Sequence, residues 1–196
     1  MQFEKGHLYH IYNQGNNHQK IFFDRDNYMF FLNKIRTYIL PYADILAWCL
    51  MPNHFHLMVY VNEVEMLVNS EAMTPSHRLT RSRTLNNSIA ILLRSYTRAI
   101  NKQEKTSGSL FRKETKAECI DCINNITPSF IENQIIITNP QEQYPQVCFN
   151  YIHENPVKAG LVKSAKEWEF SSAIDYTNER NGTLINKEIT KKYVDY

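Results

Sequence analysis

The stretch that most constrains this chain is residues 51–59, which read MPNHFHLMV. Apolar, β-branched and aromatic residues predict a strand, and its two-residue period places His54 and His56 on one face with Phe55 on the other. Two imidazoles on one face can bind one divalent ion, but a third ligand must come from elsewhere in the chain. Two half-exposed strand residues are the alternative interpretation of so short a motif.

Length and composition predict one domain. The chain has 196 residues, 43% of them hydrophobic, which suffices for a core. No run approaches the roughly 18 apolar residues of a membrane span, and the first residues lack a signal-peptide layout, so we expect no membrane partner and a cytoplasmic location. Four cysteines are too few for a disulfide scaffold and predict reduced thiols. Cys119 and Cys122 are half of a zinc site or a redox pair, without a second pair to complete the tetrahedron.

The net charge of the whole chain is only +2, but one segment is strongly basic. Residues 78–118 contain ten basic and three acidic residues, which favours an anionic partner, although a solvated face is the alternative. A helix is predicted from residue 85 to about residue 102, with an apolar stripe on one side and basic residues stepping by four along another. The candidates for contacts with such an anion are Arg94, Arg98, Lys102, Arg112 and Lys113.

Alternation and capping residues predict the remaining elements. Strands are expected at residues 8–12, at 45–50 as the antiparallel neighbour of the histidine strand, and near 113–119. A helix should begin at Asp24 or Asp26 and stop at Pro41.

Two stretches are harder to assign. We expect a short helix at residues 64–68 and then a loop to about residue 83. The pattern of residues 122–143 predicts no definite helix or strand, although the isoleucines at 135–137 could form a strand. The stretch 168–172 is expected to fold back onto the core.

A further candidate helix carries a tyrosine. It is predicted to begin at Tyr144 and to end at Pro156. Tyr151 and Asn155 are four residues apart and project from nearly the same side. With a divalent ion to stabilise charge on a phosphate, a phenolate can attack phosphorus, so these residues and the two histidines suit phosphodiester cleavage. An ordinary boundary tyrosine near a helix end is the alternative.

Two segments carry a family resemblance. Residues 51–56 (MPNHFH) and 151–162 (YIHENPVKAGLV) resemble the single-tyrosine transposases of the HUH class, and more closely the REP-associated tyrosine transposase branch. Matches at NQGNN, IFFD, GSLF and WEFSS extend the resemblance over residues 5–176.

The resemblance implies a ferredoxin-like (RRM-like) α+β fold over residues 1–176, with helices on one face of an antiparallel sheet and the histidine strand central. Residues 177–196 would form a C-terminal extension. By position, His54, His56 and Asn155 match the ligands of Mg²⁺ or Mn²⁺, and Tyr151 matches the nucleophile. The implied substrate is single-stranded DNA with hairpins, cleaved to a 5′-phosphotyrosine and a free 3′-hydroxyl that can rejoin strands.

Some features depart from the family or leave alternatives open. Residues 122–143 look longer than the usual link, and Asn155 stands where insertion-sequence members often have glutamine, which favours the REP-associated branch. A catalytically silent hairpin-binding protein is one alternative, and a replication initiator or mobilisation nuclease of the same chemistry is another. The sequence does not determine the DNA target or whether the protein is mobile or domesticated. It also does not determine whether the protein is a monomer or a homodimer, or whether the tyrosine helix acts within its own chain or in a second chain.

Overall fold

A four-stranded antiparallel sheet lies at the centre of the chain. The structure, a computed structural model, describes residues 2–69, 80–122, 127–131, 138–177 and 179–196. Within these residues the strands are β1 (Leu8–Gln14), β2 (Ala43–Met51), β3 (His54–Val61), β4 (Glu65–Asn69), β5 (Thr80–Thr84) and β6 (Lys116–Cys119). The α-helices of the same residues are α1 (Arg25–Tyr38), α2 (Leu85–Glu104), α3 (Pro140–Lys158) and α4 (Lys187–Thr190).

The strand order of the main sheet is β2-β3-β1-β6, so β3, which carries both histidines, is an interior strand. The chain order β1-α1-β2-β3-α2-β6 is the ferredoxin-like arrangement, and the predicted α+β class with a central histidine strand is confirmed. Asp24 caps α1 by accepting from the Asn27 N–H, and Thr84 caps α2 by accepting from the Asn87 N–H. Both caps satisfy backbone donors that a helix start leaves unpaired.

Helices cover both faces of this sheet. The face of β3 that carries Phe55, Leu57 and Val59 packs into one core cluster with α1 and α2. The opposite face, which carries Met58, packs into a second cluster with α3. The expectation of helices on one face therefore describes α1 and α2, while α3 adds a further layer on the side of the histidines.

A pair of antiparallel strands, which we call the hairpin, stands where the short helix and the end of the loop were expected; the rest of the expected loop, residues 70–79, lies outside the described residues. Residues 65–69 form β4, which pairs antiparallel with β5 and aligns Met66 with Arg83. The prediction of a helix at 64–68 is wrong because so short a segment takes its structure from its partner strand, whose backbone supplies the hydrogen bonds. The Tyr42 hydroxyl donates to the Arg83 carbonyl at 3.0 Å and ties the hairpin to the main sheet.

The tyrosine helix is longer than its sequence pattern predicts. α3 begins at Pro140, keeps Pro145 and Pro156 inside, and continues to Lys158, so the predicted start at Tyr144 and end at Pro156 are both wrong. A proline inside a helix removes one hydrogen bond and costs about 3 kcal/mol. Burial of both prolines offsets part of that cost. The expected strand at 135–137 lies outside the described residues.

The chain after α3 returns to the sheet, as predicted. The Leu50 N–H donates to the Phe170 carbonyl at 2.8 Å, and the Ser172 N–H donates to the Trp48 carbonyl at 2.9 Å, so this stretch runs beside β2. The Asn186 N–H donates to the Ile45 carbonyl at 2.9 Å and holds the chain before α4 against the same strand. A domain boundary at residue 177 stays a prediction.

Two further expectations concern cysteines and membranes. Cys119 and Cys122 form a disulfide with 5.6 Å between their Cα atoms, so the prediction of reduced thiols is wrong for this pair. The turn after β6 brings the two Cα atoms into the range that a disulfide requires. Cys49 and Cys148 are free and buried. Among the described residues, no helix has the length and apolar character needed to cross a bilayer.

Candidate active site

The two histidines of β3 lie side by side on the α3 face of the sheet. Their ring centroids are 4.9 Å apart; His56 is buried and His54 is half-buried. The preceding turn is fixed because the Gly15 N–H donates to the Asn53 carbonyl at 2.8 Å. His54 Nδ1 donates to Asn53 Oδ1 at 2.6 Å, so its Nε2 carries the lone pair.

α3 brings Tyr151 to these histidines. The Tyr151 ring centroid lies 5.4 Å from that of His56 in an edge-to-face arrangement. Ile152, fully buried on the same helix, holds α3 against the sheet. One turn after the tyrosine, Asn155 Nδ2 donates to the Tyr151 carbonyl at 2.8 Å, which leaves Asn155 Oδ1 available as an oxygen ligand.

A cleft of about 370 Å³ opens beside these groups. His54, His56 and Tyr151 line it together with Arg112, Lys116 and Glu114, whose carboxylate lies 3.0 Å from Lys116 Nζ. The structure thus brings together, within one chain, residues that are about 100 positions apart in the sequence. The cleft thus holds two imidazoles, a phenol, one arginine and a lysine–glutamate ion pair, groups that suit a phosphodiester and a divalent ion.

His10 is a member of the site that sequence reasoning missed. It is 1% exposed, and its Nε2 lies 2.9 Å from Nδ1 of His56. Among the described residues, no group hydrogen-bonds to Nε2 of His56. We therefore assign the proton of His56 to Nδ1, donating to His10, which leaves a buried Nε2 lone pair suited to a metal ion.

Glu118 completes this chain of contacts. Its Oε1 accepts from the Tyr12 hydroxyl at 2.9 Å, and its Oε2 accepts from the Ser129 N–H at 3.0 Å. Oε2 also lies 3.9 Å from Nδ1 of His10. Burial opposes ionisation of Glu118, but the interactions with His10, Ser129 and Tyr12 more than offset it and lower its pKa to about 2. The carboxylate is therefore negative at neutral pH and favours a proton on Nδ1 of His10.

The imidazoles of the site are held in the neutral form. Burial lowers the pKa of His56 well below its ordinary value, and the neighbouring His10 and His54 lower it further. Burial also lowers the pKa of His54, against an opposing interaction with Asn155. Neutral imidazole is the form that binds metal ions, so the protein needs no deprotonation step to present these ligands.

Tyr151 is protonated before any reaction. Burial raises the pKa of its phenol, and this effect outweighs the lowering by Asn155 and by Lys158, whose Nζ lies 5.8 Å from the ring centroid. A nearby divalent cation favours the phenolate by direct charge attraction. The residues present therefore fit a metal-assisted tyrosine nucleophile.

A second groove, of about 470 Å³, runs from the cleft along α2. Arg94, Arg98, Arg112 and Lys113 line it, and no acidic residue does so in the part of the chain that the structure describes. Asn13 and Arg112 line both spaces, so the groove and the cleft adjoin. Lys102 is exposed farther along α2 and does not line this groove.

The signals that would have found His10 and Glu118 are weak but present. Strand alternation puts His10 and Tyr12 on one face of β1. Register then aligns Tyr12 with His56 and His10 with Glu118, which places these side chains on the α3 face. His10, His56 and Glu118 come together only because β1 pairs with both β3 and β6, and the sequence pattern did not predict this pairing.

Comparison with known proteins supports the fold. No protein-family model and no curated protein matches this sequence. A solved structure described as the REP-associated tyrosine transposase bound to a REP hairpin matches with a TM-score of 0.56, 14% sequence identity, and 95% of each chain covered. The fold that the resemblance implied is thus also the fold of this solved structure. At this identity the match establishes architecture, and the chain shares the fold of the REP-associated tyrosine transposase over nearly its whole length.

Proposed function

We propose that this protein is a metal-dependent transposase that cleaves and rejoins single-stranded DNA at hairpin or repeat sequences, with Tyr151 as nucleophile. The observation that carries the proposal is the position of Tyr151 beside His56, whose buried Nε2 has no hydrogen-bond partner among the described residues. An unpaired buried nitrogen costs free energy, and a bound cation removes that cost.

The metal ligands in this proposal are Nε2 of His54, Nε2 of His56 and Oδ1 of Asn155. All three are neutral, so the bound ion keeps its full charge for the substrate. Mg²⁺ or Mn²⁺ accepts such nitrogen and oxygen ligands. The ion, when bound, supplies positive charge that stabilises the negative charge developing on a phosphate oxygen.

Tyr151 performs the covalent step. Its phenolic oxygen attacks phosphorus, forms a P–O bond and breaks the bond to the 3′ oxygen of the preceding nucleotide. The phenol proton leaves to solvent, and the departing 3′ oxygen gains a proton. The products are a 5′-phosphotyrosine and a free 3′-hydroxyl. Because one phosphoester bond is exchanged for another, a 3′-hydroxyl can attack the phosphotyrosine and rejoin strands without an external energy source.

DNA would reach the cleft along the basic groove. The structural neighbour is bound to a REP hairpin, and the groove lined by Arg94, Arg98, Arg112 and Lys113 has the positive charge that a hairpin backbone requires. Arg112 lies where groove and cleft adjoin, so it would guide a single strand from the hairpin to Tyr151. Lys102 would act as a peripheral phosphate contact.

The test uses a labelled single-stranded hairpin oligonucleotide from the flanks of the protein's own gene. Incubation with Mg²⁺ or Mn²⁺ should give a covalent protein–DNA band on denaturing electrophoresis, and EDTA should remove it. Tyr151→Phe should abolish the band and retain DNA binding. Tyr144→Phe is the matched control, since it removes a hydroxyl from α3 two turns earlier and should leave the band unchanged.

Three outcomes separate the alternatives. An adduct together with joined strands supports the proposal. An adduct that never yields joined strands favours a replication initiator or mobilisation nuclease. Tight hairpin binding with no adduct under any ion overturns the catalytic assignment and favours the silent binding protein.

A further inference from the structure

A second cluster of metal-ligating side chains lies where β1 begins and β6 ends. One ligand atom from each of His7, Cys119, Asp121 and Cys122 lies within 4.8 Å of the others. None of these residues belongs to the candidate active site. We propose that, once the two cysteines are reduced, this cluster binds a zinc ion.

Strand register is what assembles the four side chains. Tyr9 aligns with Cys119 across the β1–β6 pair, so the residue two before Tyr9 and the residue two after Cys119 face each other. These residues are His7 and Asp121, and His7 Nδ1 lies 3.3 Å from Asp121 Oδ1. The Leu8 N–H donates to the same oxygen at 2.9 Å and fixes the carboxylate. The backbone therefore holds a nitrogen and an oxygen ligand beside the cysteines.

Spacing and chemistry both favour zinc. Cys119 Sγ lies 3.3 Å from Asp121 Oδ1. With Zn–S near 2.3 Å and Zn–N near 2.0 Å, a tetrahedral site needs ligand atoms about 3.3 to 3.8 Å apart. After reduction the two sulfur atoms must therefore move apart from bonding distance to about 3.8 Å, while ligand atoms that now lie up to 4.8 Å apart must approach by about 1 Å. Two thiolates and an imidazole select zinc over magnesium, and the C-x-x-C spacing is typical of zinc ligands. His7 Nδ1 and Asp121 supply the half of the tetrahedron that the sequence pattern lacked.

Disulfide and zinc site are alternative forms of the same cysteine pair. In the structure the two sulfur atoms are bonded to each other and cannot act as thiolates. A phosphine reductant transfers two electrons to the disulfide, becomes a phosphine oxide with oxygen from water, and leaves two thiols. Each thiol then loses a proton when it binds the ion.

The site lies where an ion would act as a structural clamp. β6 has only four residues, is an edge strand and pairs with β1. Cys119 is its last residue and follows directly after Glu118, whose carboxylate faces His10. An ion shared by His7 and the two cysteines would hold the end of β6 against the start of β1 and so fix the position of Glu118.

Cobalt provides the probe, because Co²⁺ bound by thiolates shows a sulfur-to-metal charge-transfer band and tetrahedral d–d bands. In phosphine-reduced full-length protein the thiolate charge-transfer band should saturate at one Co²⁺ per chain, whatever ion the candidate active site binds, and excess Zn²⁺ should remove it. His54→Ala/His56→Ala is the matched control: it removes the candidate catalytic ligands and should leave the bands intact. Cys122→Ser should weaken Co²⁺ binding more than about 100-fold, since even outer-shell changes at metal sites cost about 10- to 100-fold.

A second measurement needs no variant. Zn²⁺ should protect Cys119 and Cys122 of the reduced wild-type protein from alkylation by N-ethylmaleimide, as read by peptide mass spectrometry. Equal alkylation with and without Zn²⁺, or cobalt bands that persist in Cys122→Ser, would overturn the proposal. Neither readout depends on Tyr151 or on DNA, so failure here leaves the proposed function standing and failure there leaves the zinc site standing.

Discussion

Replacement of His10 by phenylalanine tests whether the hydrogen bond between His10 and His56 prepares His56 for metal binding. Phenylalanine keeps the aromatic ring beside Tyr12 and Phe130 but removes the nitrogen that lies 2.9 Å from His56 Nδ1. His56 then loses the contact that fixes its proton and its ring orientation.

The expected magnitude follows from that single contact. Outer-shell partners of metal-binding histidines contribute about 10- to 100-fold to metal affinity, which is about 1.4 to 2.8 kcal/mol. Leaving His56 Nδ1 buried and unpaired also lowers the free energy of unfolding by about 1 to 3 kcal/mol. The Mn²⁺ concentration for half-maximal adduct formation should therefore rise about 10- to 100-fold, while the rate at saturating Mn²⁺ approaches that of the wild type.

Two variants serve as controls for the His10 experiment. His10→Gln places an oxygen where it can accept from His56 Nδ1–H, so it should recover part of the affinity. Tyr96→Phe loses a buried hydrogen bond to the Ile21 carbonyl in the core cluster of the opposite face and should lower stability without changing the Mn²⁺ requirement. A folded His10→Phe protein whose Mn²⁺ requirement stays within twofold of the wild type would refute the role assigned to His10.

Three other perturbations follow from contacts described above. Arg98→Ala should reduce the slope of log affinity for hairpin DNA against log salt by about 0.7 to 0.9, and Lys34→Ala, the same charge change on α1, should not; equal slopes would remove Arg98 from the footprint. His153 is buried and its pKa is lowered by burial to about 3, so below about pH 6.5 the unfolded chain binds more protons than the folded one. His153 should therefore make the free energy of unfolding decrease as the pH is lowered from about 6.5 to about 3, by up to about 1.4 kcal/mol for each pH unit, measured by urea titration. His153→Gln should reduce this slope, and an unchanged slope contradicts the assignment. Ser172→Ala removes the hydroxyl that accepts from the backbone N–H of Trp48 at 2.9 Å. The free energy of unfolding should fall by about 1 to 3 kcal/mol in the same assay. A loss below about 0.5 kcal/mol would show that water replaces the hydroxyl.

Local pattern explains why four candidate residues were visible in the sequence. His54 and His56 share a face because a strand repeats every two residues, and Tyr151 and Asn155 share a side because a helix repeats every 3.6 residues. The strand, its antiparallel neighbour and α2 were also predictable from such short-range periodicity. That β3 and α3 meet in one cleft is a long-range fact, which only the family resemblance anticipated.

The contacts around those residues depend on strand register, which local pattern does not encode. His10 reaches His56, and Glu118 faces His10, only because β1 pairs with β3 on one side and β6 on the other. β6 is short and charged, so its alternation is too weak to reveal this partner. The same applies to the zinc ligands, since His7 and Asp121 are 114 residues apart and meet through the same pairing.

Other elements took their structure from tertiary context against local preference. β4 is too short for its own sequence to decide between helix and strand, and pairing with β5 decides it. Pro156 should end a helix, yet α3 continues past it, and the Ala159 N–H closes the last turn on the Asn155 carbonyl at 3.0 Å. Asn155 therefore lies inside the helix, one turn after Tyr151.

The position of α3 within its own chain determines how catalytic capacity is distributed among subunits. Tyr151 packs against His56 of the same polypeptide, so in the proposed enzyme each chain carries a complete set of reactive groups. If two chains assemble, activity should scale with the number of intact chains and not with the number of intact pairs. A chain with an inactivating substitution then loses only its own activity. Two chains with different inactivating substitutions, one at Tyr151 and one at His56, should not restore activity to each other by exchanging helices.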